Sequence, residues 1–150
     1  MAILKSKSTK IYVAGHRGMV GRSMCNHLRE NGYKNIITVT RNELDLRNSE
    51  DVNNWFLLNK PEVVVLSAAK VGGILANDSL PADFLLDNLK MQINVIESAW
   101  RNGSKRLLFL GSSCIYPKFA DQPIDEESLL NGKLEETNQW YAIAKISGIK

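Results

Sequence analysis

The sequence has few cysteines, few prolines and no long apolar run. Two of its 150 residues are Cys and four are Pro, and Cys25 and Cys114 show neither a CxxC pattern nor the spacing of metal ligands. This scarcity argues against a disulfide scaffold and a metal site, and it favours a reducing, intracellular setting. No apolar stretch approaches the ~18 to 20 residues that a membrane span requires, and the start of the chain, MAILKSKSTK, lacks the apolar core of a signal peptide. We therefore expect a cytoplasmic protein with no membrane partner.

A strong excess of charge of one sign is also absent. The chain carries 19 Lys+Arg against 16 Asp+Glu, a formal net charge of +3, and its basic residues are scattered among acidic ones. A nucleic-acid-binding surface would cluster its basic residues on one element, so we expect no nucleic-acid partner. With 44% hydrophobic and 23% charged residues, the composition excludes an intrinsically disordered chain and predicts a packed core of one domain.

Short apolar runs with strand character alternate with helical patterns along the chain. The four runs are IYVA at Ile11 to Ala14, NIITVT ending at Thr40, VVVLSAA from Val63 and RLLFLG from Arg106. Helical periodicity covers Gly18 to Asn31, Ser49 to Lys60, about Ala82 to Asn102, and a last stretch from near Asn138 that is still running at Lys150. This alternation predicts an α/β domain of Rossmann type, a doubly wound parallel sheet. We expect the strand order 3-2-1-4, with strands one and four flanking the switch point where ligands bind.

A glycine loop, AGHRGMVG, follows the first strand and opens the first helix. Gly15, Gly18 and Gly21 form a GxxGxxG pattern. One glycine permits the tight turn, one lets the backbone approach a pyrophosphate, and one allows close packing of helix on strand. The helix N-terminus then offers unpaired N–H groups and the positive end of its dipole to the anion. The pattern predicts dinucleotide binding, the alternative being a glycine-rich turn without a ligand.

The residues after the second strand indicate which dinucleotide binds. NAD-selective sites usually place Asp or Glu at this point to hold the ribose 2′-hydroxyl, whereas this chain has Thr40 and Arg41. Arg41, together with Arg17 of the glycine loop, would present guanidinium groups suited to a 2′-phosphate. We therefore predict NADP(H) rather than NAD(H), although Glu43 lies close by and either arginine is equally well explained as a solvated surface cation.

A second group of polar residues follows the fourth strand and lies on the last helix. Ser112 follows that strand in the segment LGSSC, and Tyr141 and Lys145 lie four residues apart, on one face of a helix. A phenol with a pKa of ~10 is a poor acid-base catalyst, and a neighbouring ammonium would lower that pKa toward neutrality. A serine hydroxyl can share a carbonyl oxygen with the phenol and stabilise charge that develops there. By itself, Tyr141 is equally consistent with a packed residue beside a solvated lysine.

Four segments together resemble the extended short-chain dehydrogenase/reductase superfamily, and within it the GDP-L-fucose synthase family. They are AGHRGMVG, SAAKVGGILAN with PADF after it, LFLGSSCIYPK and YAIAKISGIK, which extend from Gly15 to Lys150. The resemblance implies an NADP-dependent epimerase and reductase. Such an enzyme converts GDP-4-keto-6-deoxy-D-mannose to GDP-L-fucose by epimerising C3 and C5 and then reducing the C4 ketone with NADPH.

The resemblance also implies a role for each candidate catalytic residue. Cys114 would be the base that handles the epimerisation protons, while Ser112 and Tyr141 would stabilise the enolate. Tyr141 would also protonate the C4 oxygen during reduction, and Lys145 would tune Tyr141 and hold the nicotinamide ribose. For Cys114 the alternative is a small buried hydrophobic residue, the role that we expect for Cys25.

The candidate cofactor-binding residues lie in the glycine loop, after the second strand, and at the ends of the third and fourth strands. They are Gly15, His16, Arg17, Gly18, Met19, Val20, Gly21, Arg41, Asn42, Asp45, Leu46, Ala68, Leu110, Gly111, Ser112, Ser113, Tyr141 and Lys145. The helix from Ala82 and the Tyr141 helix resemble the pair through which relatives dimerise, so a homodimer is implied for the full-length protein.

The chain departs from the family pattern in one respect. The family pairs its catalytic Cys with a later His, but the only histidines here are His16 and His27. We therefore expect residues 1–150 to be the N-terminal, NADP-binding part of a longer enzyme, without its substrate domain. The LLFL run of strand four reads as buried on both faces, and as an exposed edge it predicts association of such a fragment. Another nucleotide-sugar epimerase or dehydratase, or a non-catalytic dinucleotide-binding module, remains open.

Overall fold

A computed structural model describes residues 6–150 of the chain. The first half of the segment MAILKSKSTK, Met1 to Lys5, therefore lies outside the described residues. The described residues form two compact units. The first comprises residues 6–69 and Lys90–Leu110, and the second comprises Lys70–Leu89 and Gly111–Lys150. The strands are β1 (Ile11–Ala14), β2 (Ile36–Ile37), β3 (Val63–Leu66) and β4 (Arg106–Phe109). The helices are α1 (Met19–Glu30), α2 (Ser49–Asn59), α3 (Ile74–Ser79), α4 (Pro81–Arg101) and α5 (Gln139–Ile149).

The first unit contains a four-stranded, all-parallel sheet, which confirms the Rossmann-type α/β class. Its order is β2-β1-β3-β4, so the expected order 3-2-1-4 is wrong. The third strand pairs with β1 over four residues, from Ile11 opposite Val63 to Ala14 opposite Leu66, whereas β2 is only two residues long. β1 therefore offers β3 a longer edge for pairing than β2 does. The switch point lies between β1 and β3, not between strands one and four.

Alternate side chains of the central strands enter two separate core clusters. Ile11 and Val13 pack with Cys25 and Leu28 of α1 on one face of the sheet. Tyr12 and Ala14 belong to the cluster on the other face, which also contains Phe56 of α2 and Val95 of α4. Both faces of the central strands are thus covered by helices, as a doubly wound fold requires. The burial of Cys25 agrees with the small hydrophobic role expected for it.

The fourth strand lies at the edge of the described sheet and pairs with β3. Leu107 and Phe109 pack against the core, but Leu108 points to the opposite face and is 43% exposed. The apolar run, which reads as suited to burial on both faces, therefore has one face partly exposed in the described residues. The expectation that it forms an edge is confirmed, although its neighbour is β3.

Two local features differ from the sequence-based expectation. β2 stops at Ile37 instead of running to Thr40, because the Thr40 N–H donates to the Glu43 carboxylate and not to a strand partner. The short helix α3, which begins directly after Gly73, is not among the helices predicted from the sequence. The segment from Tyr116 to Glu136 is a loop with one 3₁₀ turn at Glu126–Ser128. None of the described helices is both long and apolar enough to cross a membrane.

Candidate functional site

Two of the three glycines in the glycine loop of the first unit have no space for a Cβ atom. Gly15 has φ +84°, and a Cβ placed on it would lie 2.6 Å from the backbone nitrogen of Ala68, directly after β3. A Cβ on Gly21 would lie 2.2 Å from the Gly15 carbonyl oxygen. The backbone of the turn, the first turn of α1 and the chain after β3 therefore meet without intervening side chains. The Gly21 contact is the close packing of helix on strand that the GxxGxxG pattern predicts, and Ala68 lies beside Gly15.

The N-terminus of α1 is suited to an anion. Gly18 is the N-cap residue and has no side chain with which to cap the first turn, and that turn carries no acidic residue. Met19 and Val20 of that turn are exposed, as is Arg17 before it. The Nδ1 atom of His16 is buried and has no hydrogen-bond partner among the described residues. Free helix N–H groups, a buried unpaired polar atom and an exposed guanidinium fit the pyrophosphate of a dinucleotide.

The segment after β2 carries the residues predicted to choose between NADP(H) and NAD(H). The Glu43 carboxylate accepts hydrogen bonds from the Thr40 N–H at 2.8 Å and from the Thr40 hydroxyl at 2.7 Å. These bonds lower the pKa of Glu43, and the charge of Arg17 lowers it further. This effect indicates that Arg17 of the glycine loop lies near the segment after β2. Arg41 has a side chain that is 72% exposed, with its Nε 4.0 Å from Asp45. Glu43 is therefore engaged with its own turn, while Arg41 remains accessible.

Two other predicted cofactor contacts in this segment already have structural partners. The Asp45 carboxylate binds Arg47, with Arg47 Nη2 at 2.6 Å, and this hydrogen bonding lowers the pKa of Asp45 to about 2. Leu46 is buried in the core, and its carbonyl oxygen accepts a bond from Asn94 Nδ2 at 2.9 Å. Asn42 is exposed. Contact of Asn42, Asp45 and Leu46 with a cofactor stays a prediction.

In the second unit, the loop after β3 is anchored to α4. The Lys70 N–H donates to Asn88 Oδ1 at 2.8 Å, and Asn88 Nδ2 donates back to the Lys70 carbonyl at 3.0 Å. The Lys70 ammonium also pairs with Asp87 at 3.0 Å, which raises the pKa of Lys70. Asn77 of α3 donates to the carbonyl groups of Gly72 and Gly73 at 2.9 and 3.1 Å. The loop is therefore more than a simple turn, because both of its ends are held by side chains.

The four candidate catalytic residues all lie in the second unit. Ser112 is the N-cap of a 3₁₀ turn at Ser113–Ile115, and its Oγ accepts a bond from the Cys114 N–H at 3.3 Å. This turn packs against α5, which carries Tyr141 and Lys145. Gly111 and Ser113 are exposed on either side of Ser112, whereas Leu110 belongs to the first unit, where its N–H donates to the Leu66 carbonyl. Sequence reasoning thus selected residues that the fold brings together.

Burial dominates the protonation of Tyr141. Burial raises the pKa of this phenol, the neighbouring Cys114 raises it further, and a hydrogen bond with the Ser112 hydroxyl opposes the rise. The expected net lowering of this pKa is wrong for this structure, because burial outweighs it; the Lys145 ammonium lies 5.9 Å from the centroid of the Tyr141 ring. Lys145 is 3% exposed, and burial lowers its pKa. Tyr141 therefore keeps its proton at neutral pH.

A residue beside Cys114 was missed by the sequence analysis. Asn138 precedes α5, and its Nδ2 lies 3.4 Å from Cys114 Sγ. Its Oδ1 is buried without a partner among the described residues. The sequence marked Asn138 only as the approximate start of the last helix, and the signal that could have found it is an Asn three residues before the candidate catalytic Tyr.

Comparisons with known proteins show which family the chain resembles over most of its length. The profile of the NAD dependent epimerase/dehydratase family matches residues 11–150. The chain is 58% identical to GDP-L-fucose synthase 1 of Arabidopsis thaliana over 98% of its length, and 57% identical to GDP-L-fucose synthase of Sinorhizobium fredii over 94%. A solved structure of MlghC, a GDP-mannoheptose C4 reductase from Campylobacter jejuni with NADP bound, is 40% identical with a TM-score of 0.92 over 95% of the chain.

The chain is much shorter than the proteins that it matches. It spans 46% of the Arabidopsis protein, 45% of the Sinorhizobium protein and 45% of the solved reductase.

Proposed function

Because the chain belongs to the NAD dependent epimerase/dehydratase family, we propose that residues 1–150 form the N-terminal, NADP(H)-binding part of a GDP-L-fucose synthase. The enzyme epimerises GDP-4-keto-6-deoxy-D-mannose at C3 and C5 and reduces its C4 ketone to give GDP-L-fucose. The observation that carries this proposal is the grouping of Ser112, Cys114, Tyr141 and Lys145 within one compact unit. The names and identities of the curated relatives support the substrate.

The residues of the first unit support NADP(H) as the cofactor. The first turn of α1 would hold the pyrophosphate with its backbone N–H groups, as the glycine loop leaves no room for side chains there. Arg17 and Arg41 would hold the 2′-phosphate of the adenosine ribose, since both are exposed and Glu43 is occupied by Thr40. When bound, NADPH supplies the hydride that reduces C4.

The epimerisation step uses the acidity of carbons next to a ketone. C3 and C5 both adjoin C4, so removal of either proton leaves an enolate whose charge lies on the C4 oxygen. Ser112 and Tyr141 donate hydrogen bonds to that oxygen, and the Cys114 thiolate accepts the proton. Each epimerised carbon regains a proton on the opposite face from an acid. The family's later His would be that acid, and it is not among the two histidines of this chain.

The reduction step uses the same phenol as a proton donor. Because its pKa is raised, Tyr141 remains protonated at neutral pH and can protonate the C4 oxygen as hydride arrives. Lys145, which is buried on the same helix, would hold the nicotinamide ribose. We further propose that the full-length protein works in the cytoplasm as a homodimer. In support of a dimer, Ile93 and Trp100 of α4 lie seven residues apart and are 53% and 75% exposed.

The test uses the protein as its gene encodes it, with GDP-4-keto-6-deoxy-D-mannose and NADPH in D₂O. We expect NADPH consumption together with deuterium incorporation at C3 and C5. Cys114→Ser should abolish the incorporation and leave NADPH binding intact, whereas Tyr141→Phe should slow reduction by roughly 10²- to 10⁴-fold. Equal loss of incorporation and of NADPH binding in Cys114→Ser would contradict the assignment of the base. Reduction without any incorporation would instead indicate a C4 reductase.

A further inference from the structure

Asn138 is the N-cap residue of α5 but does not cap the helix. An Asn at this position usually accepts a bond from the N–H of the second or third helical residue through its side-chain oxygen. The Asn138 side chain makes no such bond. Asn48, the N-cap residue of α2, shows the ordinary arrangement, since its Oδ1 accepts from the N–H groups of Glu50 and Asp51 at 3.1 and 3.3 Å. The Asn138 side chain therefore lacks the hydrogen bond to a backbone N–H of its own helix that an N-cap Asn usually makes.

Its amide is directed to a cysteine 24 residues earlier in the chain. Asn138 Nδ2 donates to Cys114 Sγ at 3.4 Å, a normal length for a hydrogen bond to sulfur. The Oδ1 atom of the same amide is buried and unpartnered among the described residues. A buried polar atom without a hydrogen-bond partner lowers the free energy of unfolding. The placement of the Asn138 side chain therefore reduces local stability.

We propose that Asn138 is a positioning residue that orients the Cys114 sulfur and stabilises it as a thiolate. Its N–H donor favours the charged form, because a hydrogen bond to an anion is stronger than one to a neutral group. The unpartnered Oδ1 can serve the protonated state of the cysteine. Once Cys114 has taken up a proton, rotation of the amide lets Oδ1 accept a hydrogen bond from the thiol S–H. The inference rests on the proposed role of Cys114 as the epimerisation base.

The segment before α5 is anchored in a way that holds Asn138 in place. The Glu135 carboxylate accepts hydrogen bonds from the N–H and hydroxyl of Thr137, the residue directly before Asn138. Lys118, which follows the Cys114 turn, lies 3.6 Å from the same carboxylate, and its N–H donates to the Lys133 carbonyl at 2.9 Å. The chain segments that carry Asn138 and Cys114 are thus tied to each other by other bonds. The donor can therefore be removed without releasing the segment.

The experiment measures alkylation of Cys114 by iodoacetamide as a function of pH in the protein as its gene encodes it, with each cysteine followed by peptide mass spectrometry. Asn138→Asp keeps the size of the side chain and is as good an N-cap as Asn, but it has no donor. Asn138→Ala removes the donor without adding a charge. In both variants we expect the rate at pH 7 to fall about tenfold and the profile to move up by about one pH unit.

Matched controls separate this effect from a structural one. Asn48→Asp and Asn48→Ala alter the N-cap of α2, where Asn48 accepts bonds from the N–H groups of Glu50 and Asp51, and should leave the alkylation profile of Cys114 unchanged. The buried Cys25 serves as an internal reference. Tyr141 is the titratable neighbour whose charge is coupled to that of Cys114, so the profiles are repeated in a Tyr141→Phe background. Unchanged profiles in both Asn138 variants, or a shift in Asn138→Asp alone, would overturn the inference.

Failure of this inference can be distinguished from failure of the proposed function. Deuterium incorporation at C3 and C5 tests whether Cys114 is the base, whereas the alkylation profile tests whether Asn138 controls the sulfur. If Cys114→Ser retained the incorporation, the proposed base would fail while the alkylation result could still stand. If the incorporation were lost in Cys114→Ser but the alkylation profile were unmoved in both Asn138 variants, only the inference about Asn138 would fail.

Discussion

The hydroxyl of Ser67 donates a 2.6 Å hydrogen bond to the carbonyl oxygen of Ala14, which also accepts from the Ser67 N–H at 3.0 Å. Ala14 is the last residue of β1, and Ser67 is the first residue after β3. Gly15 follows Ala14 directly, so the turn that would receive the pyrophosphate is fixed by a residue 53 positions further along the chain. The geometry of the cofactor loop therefore depends on the pairing of β1 with β3.

Gly15→Ala should be more destabilising than the same change at Gly32. Both residues have positive φ, +84° and +78°, so each substitution incurs a left-handed strain of about 1 to 2 kcal/mol. A Cβ at Gly32 meets nothing within 4 Å, whereas one at Gly15 would lie 2.6 Å from the Ala68 nitrogen, which adds about 1 to 3 kcal/mol for overpacking. Urea unfolding of both variants measures the difference. Equal losses would show that the Ala68 contact relaxes freely.

Removal of the exposed arginines should change the choice of cofactor. We expect Arg17→Ala combined with Arg41→Ala to weaken NADPH binding by roughly tenfold or more, because bonds to a charged phosphate are lost. NADH binding should change little. Fluorescence titration with both cofactors measures the ratio, and Arg22→Ala, which removes an exposed arginine from α1, is the control. A parallel loss of both affinities would contradict the role of the arginines in recognising the 2′-phosphate.

The Asp45–Arg47 pair should stabilise the fold above about pH 4 and lose its effect in acid. The pKa of Asp45 falls from 3.8 to about 2 on folding, chiefly through its hydrogen bonds with Arg47. A lowered carboxylate pKa gives stability that is complete above the unfolded value and is lost as the pH falls toward the folded value. Asp45→Asn should therefore flatten the dependence of the unfolding free energy between about pH 4 and pH 2. Asp121→Asn, at an exposed carboxylate, serves as the comparison.

The exposed stripe on α4 should govern dimerisation of the full-length protein. Ile93→Lys places a charge in the apolar stripe that Ile93 shares with Trp100, so we expect a dimer to become a monomer in sedimentation experiments. Leu58→Lys changes an exposed leucine of α2 and should leave the mass unchanged. A dimer that survives Ile93→Lys would place the interface elsewhere.

The edge strand should make residues 1–150 associate when they are produced alone. β4 is the terminal strand of the described sheet, and Leu108 leaves an apolar side chain exposed at this edge. We expect light scattering to rise with concentration and Leu108→Lys to reduce it. A monodisperse, folded monomer at high concentration would contradict this prediction.

Local signals in the sequence predicted most elements, but strand order depends on pairing between distant segments. The periodicity of Val20, Met24 and Leu28 and the stop at Gly32 indicated α1 to within a residue. The order 3-2-1-4 failed because Val63–Leu66 would alternate its side chains in the same way beside β2 or beside β1. The order depends on β1 offering β3 a longer edge for pairing than β2 does. The sequence does not show this, because it does not show that β2 is only two residues long.

Candidate site residues could be selected from the sequence where a motif suggests the chemistry, but not where packing determines it. Ser112, Tyr141 and Lys145 were selected because their residue types and spacing suit acid-base catalysis at a carbonyl, and their catalytic roles stay a prediction. The raised pKa of Tyr141 and the contact between Asn138 and Cys114 follow from the packing of α5 against the turn at Ser113–Ile115. Neither follows from spacing alone: the position of Asn138 three residues before Tyr141 marks a candidate residue, but it does not show the contact with Cys114.

The link between Ala14 and Ser67 also bears on the order of folding. A contact across 53 residues requires a long loop to close before it forms, which slows the step on which it depends. α1 and its core partners on β1 are close in sequence and can assemble early, whereas the glycine turn acquires its final shape only once β3 is in place. Cofactor binding during refolding would therefore report the completion of the parallel sheet rather than its nucleation, and Ser67→Ala would delay that signal more than it delays helix formation.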